Sequence, residues 1–244
     1  MQSDGFFDKK VAASYDRIHG SDTSTSINQV VNILHDLAAD GPALEFAIGT
    51  GRIALPLQSR GLLVKGIELS KAMVAELRKK ESDAKIEVLI GNMTTTRFKE
   101  TFSLVYLVFN TIDNLTTQEA QVACFQNAAA HLKPGGRFLV ETLVPPIQKL
   151  PFGETLLSNA CSTTHWGIDE FDISTQNYSS HHLYVQGNHA ERLTVPFRYA
   201  WPAEMDLMAR ISGLEREHRW ADWAKTPYTR HSTSHISVWK KPKD

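Results

Sequence analysis

Apolar residues in the first 143 positions form short continuous runs that alternate with stripes at helical spacing. Continuous runs of this length are typical of strands buried on both faces. They lie at Leu44–Phe46, Leu62–Leu69, Ile86–Ile90, Ser103–Phe109 and Arg137–Leu143. The stripes predict helices over residues 27–37, over 52–60, from Ser70 to Lys80 and from Thr116 or Thr117 to His131. Strands that alternate with helices predict a parallel sheet joined by right-handed crossovers.

The pattern changes after Pro145 and Pro146. Polar and apolar residues then alternate, which predicts strands of an antiparallel sheet within Thr163–Thr175, Ser180–Gln186 and Arg192–Tyr199. Pro202 opens a predicted helix over Ala203–Ile211, and two final strands are predicted at Leu214–Trp220 and Ser234–Trp239. We therefore expect one α/β domain of 244 residues: a core over 1–143, an inserted sheet over 144–200, and a C-terminal return to the core over 201–244.

Two details of this reading concern proline and glycine. Pro56 lies near the second turn of the helix predicted over residues 52–60, where it implies a kink or a short first segment. The run Lys133-Pro134-Gly135-Gly136 is expected to be a turn that leads into the fifth strand.

The first predicted strand ends in a loop of small residues, in the sequence Ala43-Leu-Glu-Phe-Ala-Ile-Gly-Thr-Gly-Arg52. Gly49 and Gly51 permit positive φ and a close approach of a ligand to the main chain. A helix that starts here offers free N–H groups to a polar ligand. The loop therefore predicts a nucleotide-like cofactor. Gly49-x-Gly51-x-x-Ala54, followed by the acidic Glu68, also fits a dinucleotide fingerprint, so the loop alone leaves the cofactor open.

Three features separate the two candidate cofactors. Glu45 stands at the mouth of the loop, where a carboxylate repels a pyrophosphate and attracts a cationic sulfonium with a free amino group. Gly91-Asn92-Met93 follows the third strand, where a polar side chain can reach an adenine edge. The fourth strand runs into Phe109-Asn110-Thr111, and the glycine turn precedes the fifth strand.

With these motifs in this order, the chain resembles the class I S-adenosylmethionine (SAM)-dependent methyltransferases. The resemblance covers the first 143 residues. It implies a Rossmann-like seven-stranded mixed sheet flanked by helices, with the last strand antiparallel, to which the antiparallel insertion after strand 5 is added. It also implies SAM as cofactor. Ala47 departs from the family pattern, which has glycine there, but alanine is small enough to keep the turn open.

The resemblance implies a role for each matching position. Glu45 would contact the amino group of the cofactor, Glu68 both ribose hydroxyls, and Asn92 the adenine amino group. The Val108 or Phe109 carbonyl region would hold the methionine ammonium, while Tyr15 closes over the sulfonium. The full set of predicted cofactor-binding residues is Tyr15, Glu45, Ala47, Gly49, Gly51, Arg52, Glu68, Leu69, Met73, Asn92, Met93, Val108 and Phe109.

Methyl transfer from a sulfonium is an in-line displacement that needs alignment and the exclusion of water more than a dedicated catalytic side chain. The sequence therefore identifies no catalytic residue. Substrate contacts are expected after the fourth strand and in the inserted sheet, which in this superfamily commonly roofs the acceptor. The predicted substrate-binding residues are Asn110, Asp113, Asn114, Trp166, Tyr178, His182 and Arg198. Their aromatic content favours an apolar or ring-bearing small molecule as acceptor, and the resemblance implies that the methyl group goes to N or O.

Composition and net charge limit the kinds of partner that the protein can be expected to bind. Hydrophobic residues make up 42% and charged residues 22% of the chain, as in ordinary soluble domains, and the net charge of −1 gives no field that gathers nucleic acid. No run of 18 apolar residues predicts a membrane span, and the first ten residues lack the apolar core of a secretion signal, so we expect a cytoplasmic protein. A homodimer is compatible with the sequence.

The cysteines and histidines do not predict a metal site. Cys124 and Cys161 lack ligand spacing, and Cys124 lies in a helical pattern as a small buried residue. His181 and His182 are adjacent on a predicted strand and so point to opposite faces.

Two other classes stay open at this point. An NAD-dependent oxidoreductase would lack the acid at Glu45 and would carry a Tyr-x-x-x-Lys or equivalent motif, neither of which the sequence shows in a persuasive place. A non-catalytic scaffold would have no need of an intact loop with Glu68 and Asn92. A nucleic-acid amino methylase is disfavoured because Phe109-Asn-Thr-Ile112 stands where its Asp-Pro-Pro-Tyr tetrad would be.

Overall fold

The computed structural model describes residues 6–19, 24–81 and 85–243. The helices are α1 Lys9–His19, α2 Ser24–Ala38, α3 Ala54–Ser59, α4 Lys71–Lys80, α5 Gln118–His131 and α6 Pro202–Ile211. The strands are β1 Ala43–Phe46, β2 Val64–Glu68, β3 Glu87–Ile90, β4 Phe102–Leu107, β5 Leu132–Leu143, β6 Leu156–Cys161, β7 His165–Asp172, β8 Asn177–Gln186, β9 His189–Arg198, β10 Glu215–Trp220 and β11 Ser234–Lys240. Short 3₁₀ turns cover Thr111–Asn114 and Pro146–Lys149.

Seven strands form the core sheet in the order β10-β11-β5-β4-β1-β2-β3. The five strands from β1 to β5 are parallel, while β11 runs antiparallel to both β5 and β10. The predicted α/β fold with an antiparallel last strand is confirmed. The strand order reverses between β1 and β4, so the loops after these two strands open into the crevice where open α/β sheets bind ligands.

Alternation along the buried strands divides the core into two layers. Leu44 and Phe46 of β1 pack on the side of α5 and α6, together with Phe125 and Trp239. Side chains that point to the opposite face, such as Leu104 and Tyr106 of β4, pack on the side of α2 and α3. Both faces of β4 are buried along its whole length, which explains its continuous apolar sequence.

The insertion folds as a separate four-stranded antiparallel sheet in the order β6-β7-β8-β9, here called the roof sheet. Its inner face is defined as the side that carries Phe171 and Tyr178, which pack with Tyr199 and with Ile147. Strand β7 lies within its predicted segment, whereas β8 and β9 overlap theirs but begin three residues earlier, at Asn177 and His189. The edge strand β6 was not predicted, because its sequence is mostly exposed and lacks a strict alternation.

The structure corrects the expected cofactor core, residues 1–143, in three places. The unpredicted helix α1 contains Tyr15, and α3 begins only at Ala54, so Pro56 lies in the first turn, where its missing N–H is not needed. The predicted turn at 133–136 lies inside β5 as an irregularity: Phe102 pairs with Leu132, but Leu104 pairs with Arg137. The caps at Ser70 and Thr117 are confirmed, since each side-chain oxygen accepts a backbone N–H of its helix.

Candidate active site

The loop after β1 follows a left-handed path at three positions. φ is +52° at Ala47, +56° at Gly49 and +77° at Gly51. A Cβ added at Gly51 would lie 2.2 Å from Leu77 Cδ1, so only glycine lets the loop pack against α4. Ala47 adopts the same left-handed region with a Cβ, which corrects the view that small size alone suits it to this position, because the backbone there favours glycine.

Glu68, at the end of β2, fixes the same loop from below. One carboxylate oxygen accepts the Gly49 N–H at 2.9 Å and the other accepts the Ser70 N–H at 2.8 Å. The side chain is 5% exposed. A single acid therefore connects the cofactor loop to the start of α4.

Glu45 lies in β1 beside Tyr106 of β4 and accepts a hydrogen bond from its phenol at 2.9 Å. Burial, helped by the nearby charge of Glu68, raises the pKa of Glu45 to about 8. The sequence predicts a fixed negative charge at Glu45, whereas this raised pKa leaves the buried carboxyl largely protonated at neutral pH, even with the charge of Arg52 nearby. A bound cation would favour the ionised form.

An aromatic and cationic cluster covers the loop. The Arg52 guanidinium lies 3.5 Å from the centre of the Phe109 ring. Tyr15 of α1 feels the charges of Arg52, Glu68 and Glu45, although its burial is the main reason that its pKa is raised. Asp16, next to Tyr15 in α1, holds this helix in place by accepting hydrogen bonds from Thr50 Oγ1 and Lys80 Nζ, both at 2.6 Å.

The end of β4 is also left-handed, with φ of +58° at Phe109 and +55° at Asn110. Glu141 of β5 stabilises this bend by accepting the Phe109 N–H at 2.9 Å and the Trp223 indole N–H at 3.0 Å. The Val108 carbonyl is occupied by the Thr111 hydroxyl at 2.6 Å. Strained backbone held from several sides is typical of ligand-binding loops.

The adenine-side motif is tightly organised. Asn92 Oδ1 accepts both the N–H and the hydroxyl of Thr94 at 2.9 Å, so the oxygen expected to receive the adenine amino group already has two donors. Met93 is buried and its carbonyl accepts Asn127 Nδ2 at 2.7 Å. Met73 lies against the loop, since a Cβ at Gly49 would be 3.2 Å from its Cε. Leu69 is half-buried just before the α4 cap.

Asp113 connects the core to the roof sheet. It is 1% exposed, lies 3.3 Å from Thr142 Oγ1 and faces the Tyr178 hydroxyl. Burial raises the pKa of the Asp113 carboxyl to about 8, and burial together with this carboxyl raises the pKa of the Tyr178 phenol. Two residues predicted to bind substrate are thus in contact with each other at the carboxyl end of β4.

Four other residues predicted to bind substrate lie in contacts within the protein or on the outer face of the roof sheet. Asn110 Oδ1 accepts the Leu143 N–H at 2.7 Å, and Asn114 Nδ2 donates to the Thr111 carbonyl at 3.3 Å within its own turn. Arg198 is buried, with an ion pair to Glu204 at 2.8 Å and a short hydrogen bond to Gln121. Trp166 lies on the outer face of β7, because its parity is opposite to that of Phe171.

His182 belongs to a group that the sequence revealed only in part. Its ring lies on the inner face of the roof sheet, with Nδ1 at 2.9 Å from His165 Nε2 and Nε2 at 3.0 Å from Ser180 Oγ. His165 stacks on Tyr184, with ring centres 4.4 Å apart. The β7–β8 register, which is not visible in a linear motif, brings these side chains together.

Tyr106 and Glu141 are the core positions that sequence reasoning missed. A signal existed for Tyr106, since parallel neighbours β1 and β4 place it level with Glu45. Glu141 gave none, because a lone acid in an apolar strand does not reveal that it accepts bonds from another loop.

Neither metal ligation nor a membrane span is found in the residues that the structure describes. No three His, Cys, Asp or Glu side chains among them cluster as ligands, and no helix in the described ranges is both long and apolar enough to cross a bilayer. Cys124 is buried, as predicted, and burial raises the pKa of its thiol, whereas Cys161 is exposed.

Comparisons with known proteins agree with this geometry. Residues 43–136 match the family model described as a methyltransferase domain. The chain is 30% identical to the cypemycin N-terminal methyltransferase of a Streptomyces species over 98% of both proteins. It is 28% identical, over about half of each chain, to the dTDP-3-amino-3,4,6-trideoxy-alpha-D-glucopyranose N,N-dimethyltransferase of Streptomyces venezuelae. The solved CcbJ methyltransferase of Streptomyces caelestis superposes with a TM-score of 0.87 at 31% identity, covering 98% of this chain and 99% of that one.

The class is defined by two features together. One is the seven-stranded sheet with an acid-flanked glycine loop at its switch point, and the other is the match of nearly the whole chain to known methyltransferases. The chain belongs to the class I SAM-dependent methyltransferases. It is an enzyme, and its cofactor is SAM.

Proposed function

We propose that this enzyme transfers a methyl group from SAM to the amine nitrogen of a small molecule or peptide. The choice of SAM as methyl donor is supported by two buried acids, Glu45 and Glu68, on either side of a left-handed loop. A cationic amino-acid nucleoside matches this charge, whereas the pyrophosphate of NAD would meet two carboxyl groups. The amine is supported by two relatives named for N-methylation.

The residues present fit SAM group by group. Glu68 would receive the ribose hydroxyls while it holds the Gly49 and Ser70 amides. Glu45 would take the negative form beside the cofactor's ammonium, and Leu69 and Met73 would lie against the adenine. In this proposal Arg52 forms an ion pair with the carboxylate of SAM, because the Phe109 ring already orients its guanidinium.

The remaining predicted cofactor contacts have supporting roles. Asn92 and Met93 shape the adenine side, and Ala47 and Gly51 bring the main chain close to the ligand. Val108 contributes backbone at the end of β4, and Tyr15 covers the site from α1. The proposed division of labour is a cofactor core over residues 1–143, a substrate roof over 144–200 and a C-terminal return over 201–244.

SAM supplies an electrophilic methyl group whose transfer needs no side-chain nucleophile. The protein's contribution is to align the acceptor and to exclude water. Tyr15 and Phe109 offer aromatic faces around the Arg52 cation, and the roof sheet brings Tyr178 over the turn that follows β4. An amine acceptor must also arrive without its proton, since an ammonium has no lone pair.

The test is a substrate panel with the purified enzyme and SAM. The panel pairs a peptide with a free N-terminus and a dTDP-amino sugar with analogues whose amine is replaced by hydroxyl or is acetylated. We expect S-adenosylhomocysteine and a methylated product from at least one amine and from none of its blocked partners. Methylation of hydroxyl analogues alone would contradict the proposal, as would calorimetric binding of NAD without binding of SAM.

Two further expectations belong to this proposal. The unpaired cysteines support a reducing, cytoplasmic setting. A homodimer is supported by the exposed Leu156, Trp166 and Ile168 on or beside the outer face of the roof sheet. Light scattering of the native protein and of Trp166→Glu would test the dimer, which should dissociate in the variant; a monomeric native protein would contradict it.

A further inference from the structure

Five side chains form a continuous hydrogen-bonded row across the inner face of the roof sheet. Asn159 Nδ2 donates to Asp169 Oδ1 at 2.6 Å and to Ser180 Oγ at 3.0 Å. Ser180 Oγ is 3.0 Å from His182 Nε2, and His182 Nδ1 is 2.9 Å from His165 Nε2. This polar row joins three strands, β6, β7 and β8.

The polar row is bracketed by two attachments to the cofactor side of the molecule. At one end of the inner face, Tyr178 faces Asp113 in the turn after β4. At the other end, Glu191 lies in one cross-strand row with Tyr184 and His165, and it forms an ion pair with Lys10 of α1, the helix that carries Tyr15. The histidine pair therefore lies between the two segments that flank the cofactor loop.

The chemistry of the row is that of a proton acceptor. Both nitrogens of His182 are occupied by neighbours, and among the described residues nothing is hydrogen-bonded to His165 Nδ1. Because the Ser180 hydroxyl can either donate to or accept from His182 Nε2, the two rings can exchange tautomers. A proton that arrives on His165 can thus be shared with His182, and the Asp169 carboxylate at the other end of the row is the counter-charge.

We propose that His165 accepts the proton that the acceptor amine must lose before methylation, and that His182 is the positioning residue that orients it. This inference rests on the proposed amine acceptor. In the step, an N–H bond of the ammonium breaks, its electron pair stays on the amine nitrogen, and a new H–Nδ1 bond forms on His165. The lone pair released in this way is the nucleophile.

Other titratable groups face the same space and must be separated from this pair. They are Asp169 on β7, Tyr184 on β8, Glu191 on β9, Lys10 on α1, and Asp113 with Tyr178 at the far end. Glu191 is paired with Lys10, and Asp113 is buried under Tyr178. His165 is the half-buried group of this set with an imidazole nitrogen open to an amine.

The first experiment measures kcat/KM against pH for His165→Gln and His182→Gln with the amine accepted in the panel above. The matched control is His181→Gln, since His181 lies on the outer face and contacts Thr194 and Glu170. We expect His165→Gln to lose about 100-fold in kcat or more and His182→Gln less, with unchanged KM for SAM. The loss in His165→Gln should shrink as pH rises towards the amine's own pKa, and His181→Gln should behave as the native enzyme.

A native pH profile in His165→Gln would overturn the proposal. A loss that pH does not relieve, or that is matched by weaker SAM binding, would assign the pair a structural role and would also overturn it. If no amine in the panel is methylated, the proposed function has failed, and a second measurement then tests the pair on its own.

That measurement uses methylammonium as a probe of the S-adenosylhomocysteine complex, followed by NMR of the histidine Cε1–H groups. Methylammonium should move the His165 and His182 resonances and leave His181 in place. Equal or absent shifts at all three would show that the pair does not face an amine, which contradicts the proposal independently of turnover.

Discussion

The cofactor loop and the roof sheet approach each other at the carboxyl ends of β1 and β4, but they are built by different means. The loop is shaped by backbone: three left-handed residues, a glycine against α4 and one acid that accepts two main-chain N–H groups. The roof is held by side chains, through the Asp113 contact, the Arg198 network and the polar row. Backbone constraints require particular residue types, whereas side-chain networks require only that partners meet.

The largest expected effect separates the stability of the roof from cofactor binding. Arg198→Ala removes the ion-pair partner of Glu204 and two hydrogen bonds, one to the buried Gln121 and one to the half-buried Gln176. Breaking such a buried pair should lower the free energy of unfolding by about 3 kcal/mol. Denaturant unfolding measures this loss, and calorimetry should find the affinity of the folded fraction for SAM within a few-fold of native.

Arg192→Ala is the control, because Arg192 lies exposed on the outer face of the same strand and should change stability by less than about 0.5 kcal/mol. If Arg198→Ala weakens SAM binding as strongly as it weakens the fold, the two regions act as one unit and the contrast drawn above is wrong.

The next effect acts on the loop alone. Glu68→Ala leaves the Gly49 and Ser70 amides without their acceptor and removes the proposed ribose contact. Since each buried unsatisfied group costs about 1–3 kcal/mol, the Kd for SAM should rise roughly 100-fold or more by titration calorimetry. Glu76→Ala on α4 removes an acid that forms an ion pair with Lys79 and should leave the Kd unchanged. Equal Kd values for both variants would exclude Glu68 from the site.

A smaller effect depends on pH. Without ligand the pKa of Glu45 is about 8, so most of the carboxyl is protonated below that pH. A bound cation stabilises the ionised form, so SAM binding should release a proton, and affinity should rise about tenfold from about pH 6 to about pH 8. Glu45→Gln should remove this dependence in calorimetry, which also counts the protons released when two buffers are compared.

Asp113→Asn provides the matched control from the other region. Asp113 has the same raised pKa of about 8 but lies beneath the roof sheet. The Asp113→Asn variant should therefore show the same pH dependence of SAM affinity as the native enzyme. If this variant flattens the curve and Glu45→Gln does not, the roles of the two buried acids have been exchanged.

The contrast also explains what the sequence could and could not predict. Five core strands, the antiparallel return and the acids Glu45 and Glu68 follow from local patterns, because each reflects burial or a backbone constraint carried by its own residue type. His165 carries no such signal: its partner His182 is 17 positions away and meets it only through the β7–β8 register. The same register places Trp166, one residue further on, on the outer face, which the sequence alone does not reveal.

Strand β6 and helix α1 mark a second limit. The edge strand β6 is mostly exposed, so it has no apolar face to reveal it. Helix α1 buries only a small apolar cluster, in which Ala12 packs against Ala72 and Met73 of α4, and Asp16 adds bonds from Thr50 and Lys80. The protonation of Glu45 was likewise hidden, because desolvation depends on the residues around the acid and not on the acid itself.

The smallest predicted effect tests whether the left-handed backbone at Ala47 costs stability, as the backbone of the loop requires. Ala47 holds φ at +52°, a region that costs an L-residue with a Cβ about 1–2 kcal/mol and costs glycine almost nothing. Glycine also loses more backbone freedom on folding, by roughly 0.5–1 kcal/mol. Ala47→Gly should therefore raise the free energy of unfolding by about 0.5 kcal/mol in denaturant unfolding. Ala75→Gly, at an exposed site in α4, should instead lower it by about 1 kcal/mol. If both variants lose stability equally, the left-handed turn stores no strain, and the loop is shaped by its acids alone.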